Sequence, residues 1–326
     1  MKIRITNEER IEMERIKWID QTRGLAIFLV ILGHIIGGLD FGVGGGTGNV
    51  LWKIIYSFHM PLIFSISGAV SNEERICNIT GKRECFYYLA KCVINLYGTY
   101  LIFGYLFWAV KFFLYQGNKA VTLADALRLP FDSSGWGAGW YLLALLMIKI
   151  IDFWIIKGIR NHNVRIAIWI FLFLFGRYFP IAFVANACSN GLYFQFGRRW
   201  KKGSFENPES LMGILMIAGV LRYEGVLEYF MDFFIAVVLC EIVIMFMIQA
   251  KDKKMKLFEE IGKYSMIPYV LHAYFTIPVR VVLNKLNCDS FSVFVFMEFL
   301  FAVVLSYFVI HFVKKFPCIK RIFYPV

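Results

Sequence analysis

Arg23 and His34 stand eleven residues apart in the first strongly apolar stretch of the sequence. At about 100° per residue that spacing returns to nearly the same helix face, with an axial rise of about 16 Å. Such a face carries a cation low and an imidazole high. Arginine presents a planar fork that matches phosphate and carboxylate, and imidazole titrates near neutrality, which suits it to take a proton from a hydroxyl. Asp20 lies one turn before Arg23 and would pair with the guanidinium and orient it. His59 sits in Ser57-Phe58-His59-Met60-Pro61, where the proline frees a carbonyl and can kink a helix beside the ring. His272 occupies another apolar stretch. Ionisable side chains inside a bilayer each cost about 2.5–3.5 kcal/mol on insertion scales, so those that persist face a cavity or a partner.

Each of these residues also has an ordinary reading. A lone intramembrane histidine often serves as an interhelical hydrogen-bond donor. Three histidines can also hold zinc, but the chain has no HExxH spacing and no metal is expected. Glu241, Glu298 and Arg280 fall within apolar stretches, where they would pair with one another, with Glu298 also a candidate substrate contact. Tyr88, Lys91 and Asn95 follow at helical spacings and would share one face, either turned to a ligand or forming a structural seam.

The elements that position these side chains are membrane spans. Of 326 residues, 59% are hydrophobic and only 18% charged, too few charges for the surface of a soluble domain of this size. With 34 Phe, 17 Tyr and 8 Trp, the chain has the apolar bulk and interfacial rings that a lipid-facing protein uses. A span needs about 20 apolar residues, and about ten candidates appear, near 19–38, 50–70, 86–115, 140–157, 164–179, 181–197, 209–221, 230–250, 262–284 and 290–313. The seventh is short, follows Asn207-Pro208 and could be re-entrant. The expectation is an all-α, polytopic helix bundle forming a single membrane domain over 1–326, without internal repeats. The first 17 residues are polar and the run after them has no small-residue cleavage site, so no cleaved signal peptide is expected.

The net charge of +12 first suggests nucleic acid. Position overturns that. If the N-terminus is cytoplasmic, 25 of the 35 Lys and Arg residues fall on inner segments and 5 on outer ones, as the positive-inside rule requires. Segments 1–18 and 314–326 are then both cytoplasmic, the bilayer is the partner, and no nucleic acid is expected. Seven scattered cysteines without paired spacing suggest neither a disulfide framework nor a metal knuckle. The longest outer connection, Gln116 to Gly139, carries turn chemistry close to Trp136 and could form a lid or acceptor-binding loop.

Four segments carry a family resemblance. Trp18 to His34, with Asp20, Arg23-Gly24 and the Arg-x10-His spacing, resembles the opening of the membrane acyltransferase-3 family. Phe58-His59-Met60-Pro61 running to Ser67-Gly68 is similar to the second span of the branch related to fucose 4-O-acetylases. Trp140-Tyr141-Leu-Leu-Ala-Leu and Ile261-Gly262-Lys-Tyr-Ser265, running on to Tyr269 and His272, match in the expected order. The resemblance implies a bundle that moves an acyl group, usually acetyl from acetyl-CoA at the cytoplasmic face, to a carbohydrate hydroxyl at the cell membrane. It makes His34 the catalytic candidate, with Arg23 and Asp20 as its partners. Where many relatives carry Arg-x-x-Arg at the start of the third span, this chain has Tyr88-x-x-Lys91 with Arg83 just before, so the donor site is altered. Arg23, Arg83, Tyr88 and Lys91 are then expected to hold coenzyme A, and His59, Ser67, Trp140, His272 and Glu298 to face the acceptor. A transporter or flippase is the alternative, since a polar cavity in a ten-span bundle would serve it too. A scaffold that has lost the chemistry is a third reading.

Overall fold

In a computed structural model of the chain, residues 17–39, 46–114, 121–133, 136–201, 228–250 and 255–324 are described. Their regular structure is helical, with no strand among them. Fourteen helices follow in order: α1 Lys17–Gly38, α2 Thr47–Ala69, α3 Glu73–Asn78, α4 Lys82–Val93, α5 Thr99–Leu114, α6 Leu123–Arg128, α7 Trp140–Gly158, α8 His162–Phe175, α9 Ala182–Lys201, α10 Glu228–Gln249, α11 Lys256–Lys263, α12 Met266–Lys285, α13 Phe291–Lys315 and α14 Pro317–Phe323.

Among the described residues, seven segments are long and apolar enough to cross a membrane: Lys17–Gly38, Gly48–Ala69, Lys82–Phe113, Gly137–Gly158, Met231–Gln249, Met266–Lys285 and Phe291–Lys315. They correspond to seven of the ten expected spans. The expected fifth is the apolar helix α8, which has only 14 residues. The expected sixth is α9, 20 residues long but outside those seven because polar residues such as Asn186, Asn190, Gln195 and Arg198 dilute it. The expected seventh, 209–221, lies outside the described residues. The ninth begins later than its hydropathy suggests. Tyr264 leaves helical geometry (φ −114°, ψ 30°), which splits the charged α11 from the apolar α12.

The chain forms two compact units, Met1–Ile63 with Phe205–Tyr269, and Phe64–Ser204 with Val270–Val326. In the first unit α1 packs against α10 and most closely against α11. Its apolar side chains Ala26, Val30, Ile31 and Ile35 are sealed at 1% exposure or less.

In the second unit α7 is buried along most of its length. The helix pair α4 and α5 forms a 32-residue segment, Lys82–Phe113, through a π-helical turn at Ile94–Gly98. That turn inserts a residue into the 3.6-residue repeat, a device common at functional sites. Helix α6 is started by a reciprocal cap: the Thr122 N–H donates to Asp125 Oδ2 at 2.7 Å, and the Asp125 N–H donates to Thr122 Oγ1 at 3.4 Å.

One polar network locks three elements of this unit together. Asp152, buried in α7, accepts from both terminal nitrogens of Arg198 in α9, with 2.9 Å to Arg198 Nη1, and from Gln195 Nε2 at 2.9 Å. Arg198 Nε also donates to Ser71 Oγ at 3.0 Å, just past the end of α2. Removing one member of a buried pair strands the other charge and costs about 3–5 kcal/mol. Asp152→Ala is therefore expected to lower the thermal unfolding midpoint of the purified protein in detergent sharply. The double variant Asp152→Ala/Arg198→Met is expected to unfold nearer to wild type than the single one.

Candidate active site

Helix α1 presents the first group of candidate residues. Asp20 is 2% exposed and its carboxylate lies 3.9 Å from the Arg23 guanidinium one turn later. His34 is half-buried on the same helix, eleven residues beyond Arg23, a rise of about 16 Å. The expected face therefore exists, with the cation held by a buried carboxylate.

Glycines set how closely this helix is enclosed. A Cβ at Gly24 would lie 2.0 Å from the Phe258 carbonyl oxygen, and one at Gly262 would lie 1.8 Å from the Asp20 carbonyl oxygen. Each position excludes any side chain, so α11 rests directly on the backbone of the Asp20–Arg23 turn. The Phe28 and Phe258 rings, 4.9 Å apart, close the same contact. Farther along α1, Gly33 and Gly37 form a small-residue groove that admits α2. A Cβ at Gly33 would meet the Tyr56 ring at 3.1 Å and Ile55 at 3.2 Å, and one at Gly37 would meet Trp52 Nε1 at 2.8 Å.

His59 belongs to the same unit. It is 2% exposed, and its ring packs edge-on to Tyr56 at 4.7 Å. Its Nδ1 lies 2.8 Å from the Ile55 carbonyl, which can only accept, so Nδ1 is the donor. The Cys240 thiol of α10 donates to the Phe58 carbonyl at 3.7 Å, which brings the buried Glu241 into this unit's interior.

The second unit holds the other expected residues. Arg83 is exposed at the start of α4, and Lys91 is half-buried. Tyr88 stacks on Phe153 (5.2 Å between centroids, 19° between planes), beside the Asp152–Arg198 network. Lys149, Lys91 and Arg75 all lie close enough to Cys92 to act on it electrostatically. The Ser67 hydroxyl bonds the Tyr141 hydroxyl at 3.0 Å, and Trp140 packs near Phe64 at 6.0 Å. His272 is 2% exposed. Glu298 is fully buried and takes two hydrogen bonds from Arg280, at 2.8 Å from Nε and 2.7 Å from Nη2. Of the two readings of this carboxylate, the structure supplies the pairing. Among the described residues, no three His, Cys, Asp or Glu side chains gather as a metal site would require.

The family model described as "Acyltransferase domain", acyltransferase-3, matches residues 16–311. The chain belongs to this acyltransferase family. It is also 29% identical over 156 residues to Nodulation protein NolL of Mesorhizobium japonicum, a match that covers 46% of this chain and 37% of that protein. The chain thus aligns with well under half the length of that relative. No solved structure matches.

Several features of the structure were passed over by sequence reasoning. Asp152 is a carboxylate inside an apolar run and carried the same burial-cost signal as Glu298, but its partner lies 46 residues away. Lys149 carried that signal too. Gly24 and Gly262 fall inside the matching motifs, yet nothing in their spacing shows that they face each other's helices. Gly262→Ala is expected to force α11 off α1, lowering both stability and acyl transfer, as read by thermal unfolding and product formation. Gly98→Ala, with nothing within 4 Å of its added carbon, is expected to leave stability unchanged or raised by at most about 1 kcal/mol.

Proposed function

We propose that this chain is an integral membrane O-acyltransferase that moves an acetyl group from cytoplasmic acetyl-CoA to a hydroxyl of a cell-surface carbohydrate or its precursor. It resides in the cell membrane with both termini cytoplasmic, as its asymmetry of basic residues favours. The observation that carries the reading is the Asp20–Arg23 pair with His34 about 16 Å above it on one helix.

The chemistry follows from that separation. Arg23 holds the phosphates of coenzyme A, with its fork oriented by Asp20. Arg83, Lys91 and Lys149 are further cations suited to the donor, and Tyr88 beside them replaces one arginine of the usual pair. His34, as general base, takes the proton of the acceptor hydroxyl while the oxygen bonds to the thioester carbonyl carbon. The carbon–sulfur bond then breaks, and the proton on the imidazole passes to the departing thiolate. Each side chain ends as it began, and the products are the ester and free coenzyme A. In this reading Ser67, Trp140 and His272 contact the acceptor. Glu298 contributes by holding Arg280 rather than through a free carboxylate.

Purified protein in vesicles, given labelled acetyl-CoA and a mixture of surface glycans, tests this. Wild type is expected to transfer label to glycan. His34→Ala is expected to lower kcat by about 10²–10⁴-fold without loss of folded protein, in keeping with the usual contribution of a general base. Turnover that survives in His34→Ala and disappears in His59→Gln would move the base to His59. Arg23→Lys is expected to raise KM for acetyl-CoA, because an ammonium cannot reproduce the planar fork. An unchanged KM would remove Arg23 from the donor site. Label taken up by vesicles without transfer would identify a transporter instead.

A further inference from the structure

Helix α3 is short and is held in place by its neighbours. Asn72 caps its start, where Oδ1 accepts the Arg75 N–H at 2.9 Å. Ile76, 2% exposed, packs with Phe153 and Ile156 of α7. At the other end Lys157 Nζ donates to the carbonyls of Cys77, at 3.1 Å, and Ile79, the partners that a helix C-terminus offers a cation. Arg165 of α8 pairs with Glu73. A helix of six residues does not persist alone, so these contacts decide where Arg75 stands.

Helices α4 and α7 run in opposite directions at this end of the second unit, and their register can be read from side chains. Tyr88 stacks on Phe153, with 5.2 Å between ring centroids. Cys85 and Leu89 pack against the same group of Ile76, Phe153 and Ile156. One turn onward along α4 is Cys92, and one turn back along α7 is Lys149. The two lie within electrostatic range of each other, and Lys91 and Arg75 act on the same thiol. Cations from three elements therefore converge on one place: Arg75 from α3, Lys91 from α4 and Lys149 from α7. Lys91 and Lys149 are half-buried within membrane-crossing segments, and Arg75 is exposed.

The carboxylates of these three helices are directed elsewhere. Glu73 pairs with Arg165, and Glu84 accepts from the Thr80 and Gly81 N–H groups at 3.3 and 3.5 Å. Asp152 takes Arg198 and Gln195, and Glu74 is exposed on α3. Cations gathered within membrane-crossing segments require an anion or water to meet them.

We propose that Arg75, Lys91 and Lys149 form a site for a phosphate monoester, the 3′-phosphate of coenzyme A, and that Lys157 positions Arg75 by seating α3. A phosphate monoester carries about 1.5–2 negative charges near neutrality, more than each phosphorus of the bridging diphosphate, which suits it to three converging cations. The two lysines meet it as point charges, and the arginine adds a directional fork. The connection that carries α3 falls on the side that the basic-residue asymmetry makes cytoplasmic, where the donor is. The assignment to the acyl donor rests on the acyl-transfer reading above, whereas a phosphate site at these cations does not.

Equilibrium binding of coenzyme A and of 3′-dephospho-coenzyme A to the purified protein in phosphatidylcholine nanodiscs tests this without turnover. Wild type is expected to bind coenzyme A about tenfold more tightly than the dephospho form. Lys149→Met and Arg75→Met are each expected to remove most of that preference by weakening coenzyme A alone, with the Kd for the dephospho form unchanged. Arg75 is exposed, so Arg75→Met keeps the test open should Lys149→Met fail to fold. Lys157→Met is expected to lower the preference as Arg75→Met does, with no further loss when the two are combined, and Lys157→Arg to restore it. Additive losses would remove the positioning role. Equal affinity of wild type for the two forms would overturn the 3′-phosphate site and leave acyl-CoA as the donor, whereas failure to bind either form would overturn both. Phosphatidylglycerol nanodiscs separate the two sources of phosphate: the preference is expected to survive in them, and its disappearance there would give the cations to a lipid headgroup instead.

Discussion

A bilayer interior supplies no water to an unpaired charge or amide, and this constraint shapes the protein more than any other. Among the described residues, three buried carboxylates of apolar helices each meet an arginine, Asp20 with Arg23, Asp152 with Arg198, and Glu298 with Arg280, and Glu241 is a fourth buried carboxylate. The three pairs differ in reach. The first joins neighbouring turns of one helix, so it orients a side chain without tying elements together. The second draws α7, α9 and the end of α2 into one network through Gln195 and Ser71. The third fixes α12 to α13, one helix with an internal proline at Pro278 and the other with little of its surface buried inside the protein. Such pairs contribute little net stability when intact, yet they are costly to break. They act as constraints on register more than as sources of binding energy.

The same constraint governs backbone. In the segment after α5, carbonyls are met by aromatic donors: Trp108 donates to Thr122, Tyr100 to Leu129 and Asp132, and Tyr97 to Pro130. Tyrosine and tryptophan suit this because one end of the ring system is apolar and the other carries a single donor. The sequence shows these residues only as an abundance of rings. Their function as satisfiers of a particular strip of backbone emerges when the strip is placed beside them.

Much of the architecture was legible because hydropathy and spacing are local. The seven clear spans follow from runs of apolar residues, and the Asp20–Arg23 contact follows from a three-residue spacing on a helix. The expected fifth and sixth spans fall outside the seven for a physical reason: α8 is short, and α9 carries polar residues that lower its apolarity while serving α7. Partners distant in sequence stayed hidden. Asp152 and Arg198 are 46 residues apart, and an intramembrane charge announces that it needs a partner without naming one. Glu298 was read both as an acceptor contact and as half of an ion pair, and only packing selects Arg280. The π-helical turn at Ile94–Gly98 left no mark in the hydropathy pattern, although it changes which face Asn95 shares with Tyr88 and Lys91.

Asp20 connects the two kinds of constraint in one residue. Its side chain pairs with Arg23, while its main-chain carbonyl is the surface on which Gly262 rests. The orientation of the guanidinium is therefore coupled to the seating of α11 through backbone, which is stiffer than a side-chain contact. Substitutions on the outer face of α11, such as at Lys263 and Glu259, disturb a partly exposed ion pair, and that is a weak interaction. Changes at Gly24 or Gly262 instead insert volume where two backbones already touch. The motif's glycines and its charged pair thus form one structural unit, and the spacing between them in the sequence is long only because the chain must leave and return before the contact can close.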